Sequence, residues 1–362
     1  MSIIFLGDEM MVVQEQEEFR KIQQTGRGSY IISLPKKWVE STGLKAGDPL
    51  SMRIQRETLL ISTQGAEKLE EEKTKDKMEA TVTVSETNRL PTVIRKIKSI
   101  YATGHEIIRI ISKNGDLTLE QRGRIHEAVR KKFIGTEVIE ESPGEITLQV
   151  LVRHPEISIL NATKRTYILA LMMHRDAILA LKSLDTSLAQ NVIDTDDEVD
   201  RFDLYVVRQL KDAIQGNRMI EESGLTSPRE FLGYRIVTNS IEGVADCAVK
   251  MAKETLAMKS TFDDEIYHAL LKLSTEVSKI FEDSMMALLK KDYQLADDAI
   301  SRTEDITDLE HDILNLALTK GTSPEPISSL VSITNNLKNA TEYSKDIAEV
   351  TLNRSIIGEK HT

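Results

Sequence analysis

Two acidic pairs are the residues of this sequence best suited to chemistry. Glu242 and Asp246 stand four residues apart in the segment Ser-Ile-Glu-Gly-Val-Ala-Asp, and Asp196 and Asp200 repeat this spacing in the preceding predicted helix. On a helix, each pair lies one turn apart on nearly the same side. Carboxylates held so close repel each other unless a cation or a donor compensates them. Two such pairs on neighbouring helices predict a site for a hard metal ion, which prefers oxygen ligands.

A second interpretation of these acids stays open. Helix surfaces carry many acid pairs at this spacing by chance, and Lys250, Arg235 and Arg201 are near enough in sequence to form ion pairs with them. If a metal binds, the acids predict a divalent or trivalent ion without selecting among iron, zinc, magnesium and manganese. We expect no organic cofactor and no enzymatic activity, because neither a glycine-rich phosphate loop nor a nucleophile–base pair is present.

The composition is that of a helical protein with several domains. The 362 residues are 40% hydrophobic and 29% charged, with only 4% aromatic residues. No apolar run approaches the roughly 18 residues that a membrane span needs, and no signal peptide is visible, so we expect a cytoplasmic protein without membrane insertion. A single cysteine, Cys247, excludes an intrachain disulfide.

The net charge of −11 is unevenly distributed. Residues 1–18 carry −5, residues 19–63 carry +5, and the rest of the chain carries −11. A small basic module on an acidic body indicates that only this module meets a polyanion such as DNA.

The basic module has the pattern of short strands around one short helix. Glycines permit a turn between two strands after residue 20, Pro35 suits the start of a helix from Lys36 to Thr42, and two further strands are predicted at 50–54 and 58–62. About 45 residues bury too little apolar surface to be stable alone, so the module is expected to dimerise.

The run Gly-Arg-Gly-Ser-Tyr-Ile-Ile-Ser-Leu-Pro-Lys-Lys-Trp, followed by Gly-Leu-Lys-Ala-Gly-Asp, resembles the AbrB/SpoVT family of swapped-hairpin DNA-binding domains. The resemblance implies that two copies interlace into one β-barrel and that polar and basic side chains contact DNA. The residues carried over are Arg20, Lys21, Arg27, Ser29, Lys36 and Lys37. The alternative is a module that only dimerises and has a solvated basic rim.

Residues 79–153 predict a small α/β module. Strand, helix, strand, helix and a final hairpin across Ser142-Pro-Gly follow one another, which gives the order βαβαββ. The module shows no catalytic or metal-binding motif. Its expected role is that of a spacer or a dimer contact.

The rest of the chain predicts six helices in two triplets, at 156–183, 186–215, 228–258, 262–290, 293–320 and 324–353. The repeat is visible in Thr-Ser-Pro at 226–228 and 322–324, where Ser and Pro suit the N-cap and first helical position, and Glu230 predicts a capping box with Ser227. Each triplet is long enough for a three-helix bundle.

The segment Ser-Ile-Glu-Gly-Val-Ala-Asp and the segment Asp-Asp-Glu-Val-Asp at 196–200 resemble the signatures of the PhoU family. The resemblance implies tandem three-helix bundles, a role in regulating phosphate uptake, and metal ions held by Asp196, Asp200, Glu242 and Asp246. Aligning the repeats places Lys338, Glu342, Thr303 and Thr307 at the equivalent positions of the second triplet, where three of the four acids are lost. Nearby acids with the same spacing form a weaker candidate set: Glu304, Asp308, Glu342 and Asp346.

Together these patterns predict a multidomain, mainly α protein with a swapped-hairpin β-barrel half, an α/β module and tandem three-helix bundles. The predicted domains are a flexible acidic N-terminus (1–18), the DNA-binding domain (19–63), a charged linker (64–78), the α/β module (79–153), the first bundle (154–258) and the second bundle (259–362). We expect a homodimer or higher even oligomer that binds DNA and regulates phosphate homeostasis. The alternatives are an interaction protein for the phosphate transporter ATPase or a sensor kinase, and a metal-storage protein.

Overall fold

The structure is a computed structural model, and it describes residues 2–6, 9–13, 19–26, 28–55, 58–63, 78–151, 157–215, 225 and 228–355. The chain divides into two compact units, Met1–Asp76 and Lys77–Thr362. Each unit is described separately below.

The described residues of the N-terminal unit form three antiparallel strand pairs and one short helix. The pairs are β1 (Ser2–Leu6) with β2 (Glu9–Val13), β3 (Gln23–Thr25) with β4 (Ser29–Ile31), and β5 (Leu50–Gln55) with β6 (Thr58–Thr63), and α1 is Lys36–Ser41. Gly43 follows the helix with φ of +70°, the left-handed conformation expected at this position. The pairing of β1 with β2 differs from the flexible segment predicted for 1–18, because two apolar runs, Ile3–Leu6 and Met10–Val13, stand on either side of a Gly-Asp pair.

The predicted α/β module is present with its predicted element order. Its elements are β7 (Glu79–Val84), α2 (Leu90–Ala102), β8 (Ile107–Ser112), α3 (Leu119–Lys132), β9 (Thr136–Ser142) and β10 (Glu145–Val150). The strands form one sheet in the order β7-β8-β10-β9, in which β7 and β8 are parallel and the other neighbours antiparallel. Apolar residues of β8 and β10, such as Ile108, Ile110 and Leu148, are completely buried beneath the two helices.

The rest of the second unit is helical. Its helices are α4 (Ile159–Leu181), α5 (Thr186–Gln215), α6 (Pro228–Ala257), α7 (Asp264–Lys290), α8 (Tyr293–Ser301), α9 (Asp305–Thr319) and α10 (Pro324–Ser355). Helices α4 to α6 form the first bundle and α7 to α10 the second, and both prolines of the repeated Thr-Ser-Pro begin a helix as predicted. Ser227, the predicted partner of Glu230 in a capping box, lies outside the described residues.

The prediction of one continuous helix over 293–320 is wrong. Residues 302–304 form turns that separate α8 from α9. Local polar groups replace the helical hydrogen bonds there: the Thr303 hydroxyl donates to the Ile300 carbonyl at 2.7 Å, and Arg302 forms an ion pair with Asp283. Side-chain bonds of this kind offer the backbone an alternative to the helix, and no glycine or proline marks the break in the sequence.

The two bundles pack against each other through α6 and α10 and, to a lesser extent, through α4 and α7. A Cβ atom added at Gly243 would lie 2.6 Å from Cζ of Tyr343, so a larger residue here would force the Tyr343 ring or the helices to shift. On the other side, the buried ring of His174 makes a 3.0 Å hydrogen bond with the Ser274 hydroxyl. Burial lowers the pKa of His174 to about 4, which keeps the imidazole neutral at this contact.

The α/β module packs against α5 of the first bundle. Leu204 and Val207 of α5 belong to the same apolar core as the module's sheet and helices. Beside them, the buried Arg208 guanidinium donates hydrogen bonds to the carbonyls of Tyr101, Gly104 and His105 at 2.7, 3.0 and 2.9 Å. Arg208 therefore caps the carboxyl end of α2, where a positive charge is favourable. The α/β module thus packs against the first bundle of the same chain.

Candidate functional site

The structure brings the four predicted acids together. Asp196 and Asp200 on α5 and Glu242 and Asp246 on α6 are half-buried, and each helix presents its pair toward the other. We call Asp196, Asp200, Glu242 and Asp246 the acid quartet. The pairing arises because Val199 and Ile241, each fully buried, hold the two helices in contact beside the acids.

The quartet is electrostatically strained. Burial raises the pKa of Glu242 to about 7, with further contributions from the charges of Asp246, Asp203, Asp200 and Asp196. Burial likewise raises the pKa of Asp196 to about 6, assisted by Asp200, Asp246 and Asp197. Desolvation and like charge both disfavour the ionised carboxylate, so the site favours a proton or a bound cation.

A fifth acid, Asp203, belongs to this cluster and was missed by the sequence analysis. It follows Asp196 by seven residues on α5, and its Oδ1 is buried without a hydrogen-bond partner in the described structure. Burial raises its pKa, while Arg235 stands 3.8 Å away across the α5–α6 interface. The heptad spacing, which keeps a residue on the same helix face, could have revealed it.

The basic residues that pair with the quartet belong to the α/β module. Asp200 forms ion pairs with Lys98 of α2 and Lys132 of α3, at 3.9 and 3.6 Å. Arg235 instead pairs with Asp203, and within the described residues neither Lys250 nor Arg201 forms an ion pair with the quartet. The alternative interpretation named Lys250, Arg235 and Arg201 as partners of the acids, whereas the ion pairs of Asp200 come from two helices of the α/β module.

The second bundle contains an internal ion pair at the equivalent place. The repeat offsets that align the burial patterns place Lys338 at the Glu242 position and Glu310 at the Asp203 position, and the Lys338 Nζ lies 3.5 Å from a Glu310 carboxylate oxygen. The weaker candidate acids Glu304, Asp308, Glu342 and Asp346 are all exposed. Asp346 accepts a long hydrogen bond from Ser240 of the first bundle, at 3.5 Å.

The donor chemistry of the quartet fits a hard cation. The atoms it offers as metal ligands are all carboxylate oxygens, and the neighbouring Asp203 Oδ1 already lies 3.8 Å from the Arg235 guanidinium. In the described ranges of the chain, no three His, Cys, Asp or Glu side chains already surround a point that could hold a metal ion. The oxygen ligands therefore match the chemical preference of a hard cation, while the described side chains are not gathered around one.

We expect the Glu242→Gln substitution to stabilise the protein at pH 8 by about 1–2 kcal/mol in the presence of a chelator, with little effect at pH 5. The folded state raises the pKa of Glu242 from 4.5 to about 7. Folding therefore binds a proton, and the associated stability is lost as the pH rises between about 4.5 and about 7.

Thermal unfolding at several pH values measures this difference, with Glu342→Gln as the control because Glu342 is exposed on α10. Equal stability of Glu242→Gln and the wild type at both pH values would contradict the electrostatic account.

The predicted DNA-binding side chains lie on the exposed surface of the N-terminal unit. Lys21 precedes β3, Ser29 begins β4, and Lys36 begins α1, where it pairs with Glu40 at 3.7 Å. Arg20 and Lys37 are exposed as well, whereas Arg27 lies outside the described residues. The structure therefore leaves the cationic side chains accessible to a polyanion.

The N-terminal unit also exposes large apolar side chains. No residue between 19 and 63 whose side chain the structure describes is buried, and Phe19 is 93% exposed and Tyr30 70% exposed. The alternation of Tyr30, Ile32 and Leu34 predicts a half-buried strand, yet Tyr30 and Ile32 are exposed in a single chain. Apolar area of this kind on so small a unit fits burial by a second copy.

Comparison with known proteins identifies the two parts of the chain. The PhoU domain model matches residues 165–255 and again 270–351, and the model described as antidote-toxin recognition MazE, bacterial antitoxin, matches residues 23–69. No curated protein matches the chain. Among solved structures, PhoU from Pseudomonas aeruginosa is similar with 16% identity and a TM-score of 0.49, over 54% of this chain and 96% of that one. The phosphate transport system regulatory protein PhoU from Streptococcus pneumoniae is similar with 15% identity and a TM-score of 0.49, over 56% of this chain and 96% of that one.

The chain therefore contains two PhoU domains in tandem, one in each bundle. Over these two domains it resembles the PhoU family of phosphate homeostasis regulators, and it carries an N-terminal domain of the AbrB/MazE type. No described helix is both long enough and apolar enough to span a membrane.

Proposed function

We propose that this protein is a DNA-binding transcriptional regulator of phosphate homeostasis. The single observation that supports this most strongly is the fusion of an AbrB/MazE-type domain with an exposed basic surface to two PhoU domains. The basic domain supplies attraction to DNA, and the PhoU domains relate that contact to phosphate status. The protein acts by binding and not by catalysis.

Dimerisation is part of this proposal. The N-terminal unit leaves its apolar strand residues exposed in one chain, and a second copy that interlaces with it would bury them. Two basic surfaces would then lie on one particle, as a two-fold symmetric DNA contact requires.

The acid quartet supplies the sensing element in this scheme. Its half-buried, mutually repelling carboxylates favour a bound cation such as Mg²⁺ or Mn²⁺ in the first bundle. When bound, such an ion would draw α5 and α6 together through shared oxygen ligands. Lys338 already provides a positive charge in the second bundle, so we propose one cation per chain and not two. This stoichiometry disfavours a storage role.

We expect the affinity for a mixed-sequence duplex to fall by about 100-fold between roughly 50 and 200 mM salt, as four neutralised phosphates predict. The Lys21→Gln substitution should reduce the slope of log affinity against log salt by about 1, because one phosphate contact is lost. Fluorescence anisotropy with the full chain measures both quantities.

Lys45→Gln is the matched control, since Lys45 is exposed in the same unit but is not one of the candidate DNA contacts. A salt-independent affinity, or binding only to another protein, would contradict the DNA-binding role. The second of these results would favour an interaction protein in which the N-terminal unit only dimerises.

A further inference from the structure

Strand β7 forms one edge of the sheet in the α/β module. It ends the strand order β7-β8-β10-β9, and no strand among the described residues pairs with its outer side. The Met78 carbonyl accepts a hydrogen bond from the Ile107 N–H of β8, at 3.2 Å. Backbone groups alternate in direction along a strand, so the N–H and C=O groups of Thr81 and Thr83 point outward. This edge therefore offers backbone donors and acceptors to another chain.

The two edges of the sheet differ in their protection against strand pairing. At the other edge, β9 carries Glu137, Glu140 and Glu141, and a register shift interrupts its pairing with β10. Charged side chains and bulges are common means by which an edge strand avoids pairing with another chain. In contrast, β7 reads Glu-Ala-Thr-Val-Thr-Val and pairs with β8 in a regular register, and its one charge, Glu79, forms an ion pair with Arg109. The β7 edge therefore remains able to pair with a further strand.

A groove of about 570 Å³ runs between this edge and α2, and we call it the β7 groove. Its lining residues come from the middle of β7 and from one side of α2: Thr81, Val82, Thr83, Thr92, Arg95, Lys96, Ser99 and Ile100. The α2 residues recur every three or four positions, so one face of the helix follows the strand along the groove. The outward backbone groups of β7 and the side chains of α2 thus face the same space.

The β7 groove is cationic. Arg95 and Lys96 are exposed, and neither forms an ion pair among the described residues. The Arg95 Nη2 donates a hydrogen bond to the Thr92 hydroxyl at 3.0 Å, which holds the guanidinium along the groove face of α2. No acidic side chain belongs to the described lining of the groove. Two unpaired cations beside a free strand edge favour an acidic partner.

We infer that the β7 groove binds an extended, acidic segment of a partner protein, which adds a strand to the sheet. The backbone of the segment pairs with Thr81 and Thr83, as in other proteins that bind a peptide at a sheet edge. Side chains of an added strand alternate between the two faces, so every second residue of the segment meets α2. Acidic residues at these positions contact Arg95 and Lys96, and an apolar residue packs on Ile100.

Two other occupants fit the β7 groove less well. Antiparallel pairing with β7 of a second copy would place both α2 helices on the same face of the joined sheet, where Arg95 and Lys96 of the two copies repel each other. A nucleic acid would satisfy the two cations, but it has no extended amide backbone to pair with Thr81 and Thr83. Both occupants are distinguished by the experiments below.

Residue-resolved hydrogen exchange of the full chain tests whether the edge is free. The amides of Thr81 and Thr83 should exchange at least about tenfold faster than those of Val82 and Val84, which point toward β8. Equal protection of these four amides would mean that the chain itself covers the edge, and this would overturn the inference.

Fluorescence anisotropy of the full chain with a labelled synthetic peptide, in which glutamate alternates with valine, tests the partner chemistry. One control peptide has lysine in place of glutamate, and another keeps the glutamates but is N-methylated at alternate residues, which prevents strand pairing. We expect the first peptide to bind at least about tenfold more tightly than either control. It should also slow hydrogen exchange at Thr81 and Thr83. Equal binding of the N-methylated peptide, or no binding of the first, would overturn the inference.

Two variants separate the contribution of the backbone from that of the charges. Thr83→Pro removes an outward N–H from an edge strand, where proline leaves the pairing with β8 intact, and it should weaken peptide binding at least about tenfold. Thr83→Val keeps this N–H and is the control. Arg95→Gln/Lys96→Gln should weaken binding about fivefold. Its control, Lys113→Gln/Arg130→Gln, removes one lysine and one arginine that are exposed elsewhere in the module.

An affinity for the glutamate–valine peptide that is unchanged in Thr83→Pro and in Arg95→Gln/Lys96→Gln would overturn the inference. A lower oligomeric state of Thr83→Pro in sedimentation would assign the groove to a second copy instead. A loss of DNA affinity in Arg95→Gln/Lys96→Gln, with peptide affinity unchanged, would assign it to a nucleic acid. Either of these results also refutes an acidic protein segment as the occupant.

Discussion

Replacing Arg208 by methionine should lower the free energy of unfolding of the second unit by about 3–5 kcal/mol. The buried guanidinium donates three hydrogen bonds to carbonyl groups, lies 5.0 Å from the centre of the Tyr101 ring and pairs with Asp212 at 3.6 Å. Methionine fills much of the volume but leaves the Tyr101, Gly104 and His105 carbonyls without these donors. We therefore expect Arg208→Met to weaken the contact between the α/β module and the first bundle.

Urea denaturation followed by far-UV circular dichroism measures this effect. Tryptophan fluorescence is unsuitable, because the only tryptophan, Trp38, lies in the other unit and would report on that unit. Arg124→Met is the matched control: the Arg124 side chain is 60% exposed and, among the described residues, pairs with Glu127 of its own helix alone, so a change within about 0.5 kcal/mol is expected. An Arg208→Met protein as stable as the control would mean that the module does not depend on this residue.

The Gly243→Ala substitution should destabilise the contact between the two bundles by about 2 kcal/mol. An alanine Cβ would lie 2.6–2.7 Å from three atoms of the Tyr343 ring, so α6 and α10 have to separate or the ring has to move. The better helix propensity of alanine offsets about 1 kcal/mol of a larger steric penalty. The same substitution should also disturb the neighbouring Glu242.

Gly123→Ala is the control for this substitution, because Gly123 lies in α3 with open space around its Cα, and it should stabilise the protein by about 0.5–1 kcal/mol. The double variant Gly243→Ala/Tyr343→Leu replaces the ring by a smaller side chain and should recover part of the stability that Gly243→Ala loses. Stabilisation by Gly243→Ala alone would contradict the close helix contact.

Much of the fold could be predicted from local sequence patterns. Alternating and helical periodicities placed the elements of the α/β module and the bundles within a few residues, because those patterns depend on which face of each element is apolar. The repeated Thr-Ser-Pro predicted the tandem arrangement. The alignment of the two repeats also showed which acids the second bundle lacks. The break between α8 and α9 was not predictable in this way, since it depends on an ion pair between Arg302 and Asp283 of another helix.

The candidate site was predicted in part. The spacing of Asp196, Asp200, Glu242 and Asp246 was sufficient to place them together, since two i, i+4 pairs on adjacent helices of a bundle have few other arrangements. Lys98 and Lys132 could not be found, because their contact with Asp200 depends on how the α/β module packs on α5. Arg208, which fixes that packing, has no motif around it and is recognised only by its burial.

Genome-wide mapping of the protein on DNA, in cells grown at high and at low phosphate, tests the central claim most directly. We expect discrete sites near genes for phosphate uptake, with an occupancy that changes with phosphate and is reduced in a Lys21→Gln/Lys36→Gln variant. An equal, featureless distribution for the wild type and this variant in both conditions would contradict it.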